Sequence, residues 1–203
     1  MTQLIHLLTT FNPSTFVISV GYIGIASILF AESGILLGIF LPGDSLLFAA
    51  GLLSAQGMFN PFLLFIISAV AAIAGDSTGY WIGKRGGTAL LHKYPKLIKK
   101  EYITRTELFY ARWGGYTIIL ARFVPIIRTI VPTLAGVGKM NYTKFVRYNI
   151  LGGILWVSLI IMISYALGNY IPGIQHYLIP LTFIIILISF IPFLFRFIKQ
   201  RLQ

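Results

Sequence analysis

The chain has no cysteine, and acids are scarce: five Asp and Glu among 203 residues, against 16 Lys and Arg. Without cysteine there are no disulfides and no thiolate ligands or nucleophiles. Histidine is nearly as rare, and His6, His92 and His176 fall outside the apolar runs. Neither a metal site nor a cofactor is therefore expected. Charge of any sign is only 10% of the chain, while 57% is hydrophobic and the mean hydropathy is +0.86. Soluble domains carry roughly 25% charged residues. The composition is that of an integral membrane protein, and the length suits one membrane domain over residues 1–203. No Lys or Arg precedes Lys84. The start thus lacks the basic region of a cleaved signal peptide, and the first apolar run is expected to stay in the mature protein. The net charge of +11 fits a positive-inside topology better than nucleic-acid binding, so no nucleic-acid partner is expected. HExxH, GxSxG and P-loop patterns are all missing, and no Ser has a His or Lys partner at recognisable spacing. The chain is not expected to be an enzyme.

Two interrupted apolar segments stand out. The first is Glu32 to Gly51, ESGILLGIFLPGDSLLFAAG; the second is Arg122 to Gly136, RFVPIIRTIVPTLAG. Both carry charge beside a proline break and both finish on Ala-Gly. Residues 16–58 are predicted to form a helical hairpin that enters the membrane and returns, its tip near Pro42. Each arm holds about 15 residues, short of the ~20 a span needs. A pair of tilted short spans is the alternative. Residues 61–83 should cross once, and 84–115 should form a basic cytoplasmic loop, partly an interfacial helix over 98–113. Residues 116–138 form the second hairpin, and 148–168 and 177–195 two further spans. Arg196, Lys199 and Arg201 place the C-terminus on the cytoplasmic side.

The expected fold is therefore an all-α polytopic membrane protein with two opposed re-entrant hairpins in an inverted repeat, as in several secondary transporters. A recurring order supports the repeat: hairpin, Ala-Gly, Met58 or Met140, Phe62 or Phe145, a span, then Tyr80-Trp81-Ile82-Gly83 or Tyr165-Ala166-Leu167-Gly168.

An ionised group at bilayer depth costs about 2.5–3.5 kcal/mol, so Glu32, Asp44, Arg122 and Arg128 left unpaired would cost about 10–14 kcal/mol. Guanidinium makes forked hydrogen bonds to phosphate or carboxylate, and broken helices aim free N–H groups at anions. Arg122 and Arg128 are thus candidates for binding an anionic group. The alternative is that each pairs with Glu32 or Asp44 only to hold the hairpins together. Glu32 and Asp44 flank the first bend and are candidate proton carriers, or else fixed salt-bridge partners. Asp76, expected near the inner end of its span, and Asn149 are further candidates. Pro42, Gly43, Pro125 and Pro132 are expected to shape the hairpin tips. Gly34/Gly38 and Gly79/Gly83 read as helix-packing pairs, and Trp156 as packing.

The chain resembles the DedA family, also described as the VTT or SNARE-associated Golgi protein family. The resemblance rests on Phe30-Ala31-Glu32-Ser33-Gly34, Leu41-Pro42-Gly43-Asp44, Gly75-Asp76 through Gly79-Tyr80-Trp81-Ile82-Gly83, and Ala121-Arg122-Phe123-Val124-Pro125. It continues through Arg128-Thr129, Val131-Pro132, Ala135-Gly136, Met140, Phe145, Asn149, Gly152 and Trp156. It implies two opposed re-entrant hairpins and translocation of lipid carriers or phospholipids, notably undecaprenyl phosphate, driven by the proton motive force. It also implies that Glu32, Asp44, Arg122 and Arg128 are the critical acids and arginines. Ile126 stands where the second motif usually has Gly.

These expectations add up to a lipid transporter of the bacterial cytoplasmic membrane. Its partners are a lipid with an anionic phosphate headgroup and protons as coupling ion, and a homo-oligomer is compatible with the sequence. Undecaprenyl phosphate is the favoured cargo and phosphatidylethanolamine the next. Proton-coupled transport of a small soluble ion or solute and a structural role in envelope assembly are the competing readings.

Overall fold

A computed structural model describes the chain over residues 13–34, 41–93 and 114–171. These residues form six helices and no strand: α1 Pro13–Gly34, α2 Gly43–Ser54, α3 Pro61–Lys93, α4 Tyr116–Ala121, α5 Pro125–Val137 and α6 Tyr142–Tyr170. Three of them contain stretches long and apolar enough to cross a membrane: Val17–Gly34, Pro61–Gly86 and Tyr142–Tyr170. The expected interfacial helix at 98–113, the span at 177–195 and the C-terminus lie outside the described residues, as do His6, Gly38 and His176.

Local chemistry sets the boundaries. Pro13 and Pro125 open α1 and α5, where a missing N–H costs nothing. Asn60 caps α3 by accepting from the N–H groups of Phe62 and Leu63 at 3.0 and 3.1 Å. Asn141 caps α6 by accepting from the Lys144 N–H at 3.2 Å. At Gly21 the backbone turns to φ 60, ψ −172 and puts a kink in α1 that only glycine takes easily.

The structure corrects several sequence expectations. α1 has 22 residues, so the first arm is not uniformly short of a span, although α2 has only 12. α3 has 33 residues and runs on through Lys84-Arg85-Gly86-Gly87 to Lys93, so the basic stretch begins as helix. Two glycines cost roughly 1 kcal/mol each in a helix interior, and the Thr88-Ala89-Leu90-Leu91 stretch beyond them sustains the helix. Asp76 accordingly sits mid-helix. Pro132 lies inside α5 and not at the break, which falls at Arg122–Val124.

Packing is reciprocal between the halves. α5 lies against α3 and α2 against α6, while α1 packs on α3 and α4 on α6. Small residues make the close approaches, as expected where lipid offers no hydrophobic drive to association. A Cβ on Gly136 would collide with the Tyr80 carbonyl, and one on Gly83 with the Thr133 carbonyl. In the other half a Cβ on Gly51 would collide with Ser164, and one on Gly168 would lie 2.9 Å from the Leu52 carbonyl. A Cβ on Gly34 would sit 2.9 Å from the Gly75 carbonyl, at the α1–α3 crossing.

Two apolar clusters result. One joins Ile25 and Leu29 of α1, Leu47 and Leu53 of α2, Leu64 of α3, and Val157 and Ile161 of α6. The other centres on Tyr80 and Phe145, stacked 4.8 Å apart, with Val131 and Ala135. The Tyr80 hydroxyl donates to the Met140 carbonyl. Phe62, Val70, Leu151 and Met162 stay largely exposed, a surface that suits hydrocarbon.

Candidate functional site

Five charged side chains converge where the broken segments meet the long helices, and they form two groups. Arg128 stands in the first turn of α5, its N–H bonded to the Val124 carbonyl at 3.0 Å. Its Nη2 pairs with Glu32 Oε1 from the end of α1, and with Asp44 Oδ1 from the start of α2 at 2.7 Å. One guanidinium therefore clasps the two carboxylates that flank the first break. The Arg128 guanidinium carbon also lies 4.5 Å from the ring centroid of Trp156, a cation–π contact at a desolvated position. Glu32 and Arg128 are buried, whereas the Asp44 side chain keeps 25% of its surface exposed.

Gly43 has a role beyond marking the break. A Cβ there would run into Glu32 Oε2, so only glycine lets the start of α2 approach that carboxylate. Both acids thus sit at the N-terminal end of α2, where the helix dipole favours negative charge.

Arg122 follows α4 and forms the second group. Its Nη2 pairs with Asp76 Oδ2 in the middle of α3 and donates to Asn149 Oδ1 on α6. The Asn149 amide donates onward to the Ile73 carbonyl at 3.0 Å. All three side chains are buried. Gly152 makes room beside them: a Cβ there would sit 3.1 Å from Arg122 Cδ. Sequence alone offered Glu32 or Asp44 as ion-pair partners of Arg122, as the alternative to anion binding. Its partner is Asp76, a residue 46 positions earlier on a different helix.

The structure brings together every candidate named from the sequence except the prolines, whose part is backbone geometry. What sequence reasoning missed was Trp156, read there as packing. The signal was its spacing: Asn149, Gly152, Gly153 and Trp156 recur at three, four and seven residues, so they share one face of α6. Four polar atoms in the site make no hydrogen bond to the described residues: Arg122 Nε, Arg128 Nε, Glu32 Oε2 and Asp44 Oδ1, the last held to Arg128 as an ion pair. Buried donors and acceptors of this kind are rarely left vacant. The two guanidinium Nε–H groups can each donate one further hydrogen bond, and the carboxylate oxygens can accept one. No cluster of three metal-ligating side chains occurs among the described residues.

Comparison with known proteins bears on this arrangement. The VTT domain matches residues 41–166, more than half of the chain. The chain belongs to the DedA family. It is 41% identical to Protein DedA of Escherichia coli strain K12 over 177 residues, covering 86% of this chain and 80% of that protein. An uncharacterised membrane protein of Mycobacterium leprae is 40% identical over 166 residues, covering 81% of this chain and 74% of its own length. The inner membrane protein YghB of Escherichia coli K12 is 35% identical over 173 residues, covering 84% and 78%. No solved structure matches. This DedA-family chain is a membrane protein, in keeping with its apolar helices. Asp44, Asp76, Arg122, Arg128, Asn149 and Trp156 all lie within the VTT match, and Glu32 just before it.

Proposed function

We propose that this DedA-family protein moves a phosphate-bearing lipid between the leaflets of the bacterial cytoplasmic membrane, coupled to protons. The observation that carries the reading is Arg128, a buried cation shared by two carboxylates from opposite sides of a helix break. A phosphate headgroup competes for the same forked donors. When it displaces one carboxylate, that acid is left without its counter-charge in a low-dielectric site, and taking up a proton relieves the cost. Three carboxylates already face two guanidiniums, so an arriving anion adds to a negative excess. Anion binding and proton uptake at Glu32 or Asp44 are linked by that count.

Short helices support the re-entrant geometry. α2 with 12 residues and α5 with 13 extend about 18 and 20 Å, against roughly 30 Å of hydrocarbon. The reciprocal packing of α2 on α6 and α5 on α3 supports the inverted repeat, with the lipid tail alongside the broken segments and the headgroup between them. The family resemblance favours undecaprenyl phosphate as cargo, with phosphatidylethanolamine next. The protein acts as a carrier and not as a catalyst, without a cofactor.

The test is leaflet-resolved flipping in proteoliposomes, with fluorescent undecaprenyl phosphate and phosphatidylethanolamine in separate vesicles, with and without a pH gradient. Wild type should flip one lipid faster under the gradient. Glu32→Gln leaves Asp44 on Arg128 and should slow transport at least tenfold in folded protein. Arg128→Lys should do the same, because an ammonium lacks the planar fork. Folded wild type that flips neither lipid overturns the reading. Uptake of a soluble labelled anion in its place would establish the solute transporter, and full flipping by both variants would overturn the role given to Glu32 and Arg128.

A further inference from the structure

A second basic feature lies outside the buried group. Between α4 and the start of α6 is a cleft of about 690 Å³, lined by Tyr116, Ile119, Thr143, Lys144, Arg147 and Tyr148. We infer that this cleft docks the phosphate headgroup of an anionic lipid before the lipid reaches Arg122. As a step in transport this rests on the reading above; as a binding site it stands alone.

Three observations converge on it. The first is electrostatic. Lys144 and Arg147 stand in the first two turns of α6, where the helix dipole is already positive and cations are disfavoured. The first turn has no acidic side chain. Both cations are exposed, and neither has an ion-pair partner among the described residues. Among the described residues, the start of α6 thus presents two side-chain charges and a dipole of one sign, with the neutral Asn141 cap and no ion-pair partner beside them. An oxyanion is the natural complement.

The second is amphiphilic shape. Tyr116 and Tyr148 flank the cleft with ring centroids 5.5 Å apart, and tyrosine belongs at headgroup depth. Tyr148 lies so close over Gly115 that a Cβ there would collide with its ring. Leu151 in the lining and Leu120 beside it are 59% and 68% exposed, an apolar strip leading away from the cations. A phosphate on an acyl or prenyl chain matches both parts, whereas a free anion matches only one.

The third is continuity with the buried site. Ile119 lines the cleft, and Arg122 follows it by one turn. A Cβ on Gly152 of α6 would lie 3.2 Å from Ile119 Cα and 3.1 Å from Arg122 Cδ. Gly152 therefore packs against both a lining residue of the cleft and the side chain of the buried arginine.

Because the chain has no cysteine, Leu120→Cys gives a single labelling position beside the cleft and outside its lining. A bimane there, in phosphatidylcholine vesicles, would be quenched by lipids brominated in the acyl chain. Brominated phosphatidic acid should reach half-quenching at a mole fraction about 30-fold lower than brominated phosphatidylcholine, the combined pull of two cations near the surface. The Lys144→Gln/Arg147→Gln pair should abolish that preference, and Lys144→Arg/Arg147→Lys should keep it. Equal quenching by both lipids, or a preference that survives Lys144→Gln/Arg147→Gln, overturns the proposal. So does loss of the preference in millimolar inorganic phosphate at constant ionic strength, which would mark a soluble-anion site. Flipping measured in the same wild-type vesicles separates the two readings. Preference without flipping supports the cleft and sinks the transporter; flipping without preference does the reverse.

Discussion

Asp76→Ala should damage folding more than Glu32→Ala, although each removes one carboxylate from a buried arginine. Among the described residues Arg122 has one acidic partner, Asp76, so the substitution leaves it there with the neutral Asn149 amide oxygen. Removing one partner of a buried ion pair costs about 3–5 kcal/mol. Arg128 keeps Asp44 when Glu32 is lost, so the loss there is closer to one charge-assisted hydrogen bond, about 1.5–3 kcal/mol. For a chain of this size each 1 kcal/mol moves Tm by about 2–4 °C. The expected drops are about 6–20 °C for Asp76→Ala and about 3–12 °C for Glu32→Ala under matched conditions. Replacing both members, Asp76→Leu with Arg122→Met, should recover most of the larger loss, since apolar substitutes for a buried pair are often neutral or stabilising. The assay is the fraction of monodisperse protein left on size exclusion after heating in detergent. The reasoning fails if Asp76→Ala melts no lower than Glu32→Ala, or if the double variant melts no higher than Asp76→Ala.

Two other substitutions test separate parts of the structure. Trp156→Phe should keep most lipid flipping and Trp156→Leu should lose it at least tenfold, because a ring under Arg128 at a desolvated position contributes about 2 kcal/mol; the flipping assay decides it. Gly136→Ala should lower Tm by roughly 2–12 °C, since its Cβ meets the Tyr80 backbone and overpacking costs about 1–3 kcal/mol, while Gly86→Ala, with nothing within 4 Å, should leave Tm unchanged or raise it.

What sequence could reach, and what it could not, divides along a physical line. Glu32, Asp44, Arg122 and Arg128 announced themselves because charge inside apolar sequence is costly whatever the fold. The break before Gly43 was legible from Pro42, whereas the α6 face that joins Asn149 to Trp156 was overlooked although its spacing carried it. Which acid meets which arginine was not legible, because Asp76 reaches Arg122 only through the packing of α3 against the segment after α4. Pro132 misled for a related reason. Its ring reads as a break locally, yet α5 holds its course through it, packed along α3. The basic run after Gly83 misled because Gly86-Gly87 looks like a loop signal, while the residues that follow favour helix.

The clasp on Arg128 bears on how the chain is made. Glu32 emerges from the ribosome 96 residues ahead of the arginine that neutralises it. At about 5–20 residues per second, roughly 5–20 s pass with the first broken segment already synthesised and its acids without a counter-ion. During that interval the segment can shelter near the insertion machinery, remain shallow, or carry protons. The second broken segment then does more than complete a pattern: its arrival licenses the first to settle at depth. A nascent chain truncated before residue 128 should therefore be extracted from membranes more easily than one that has passed it.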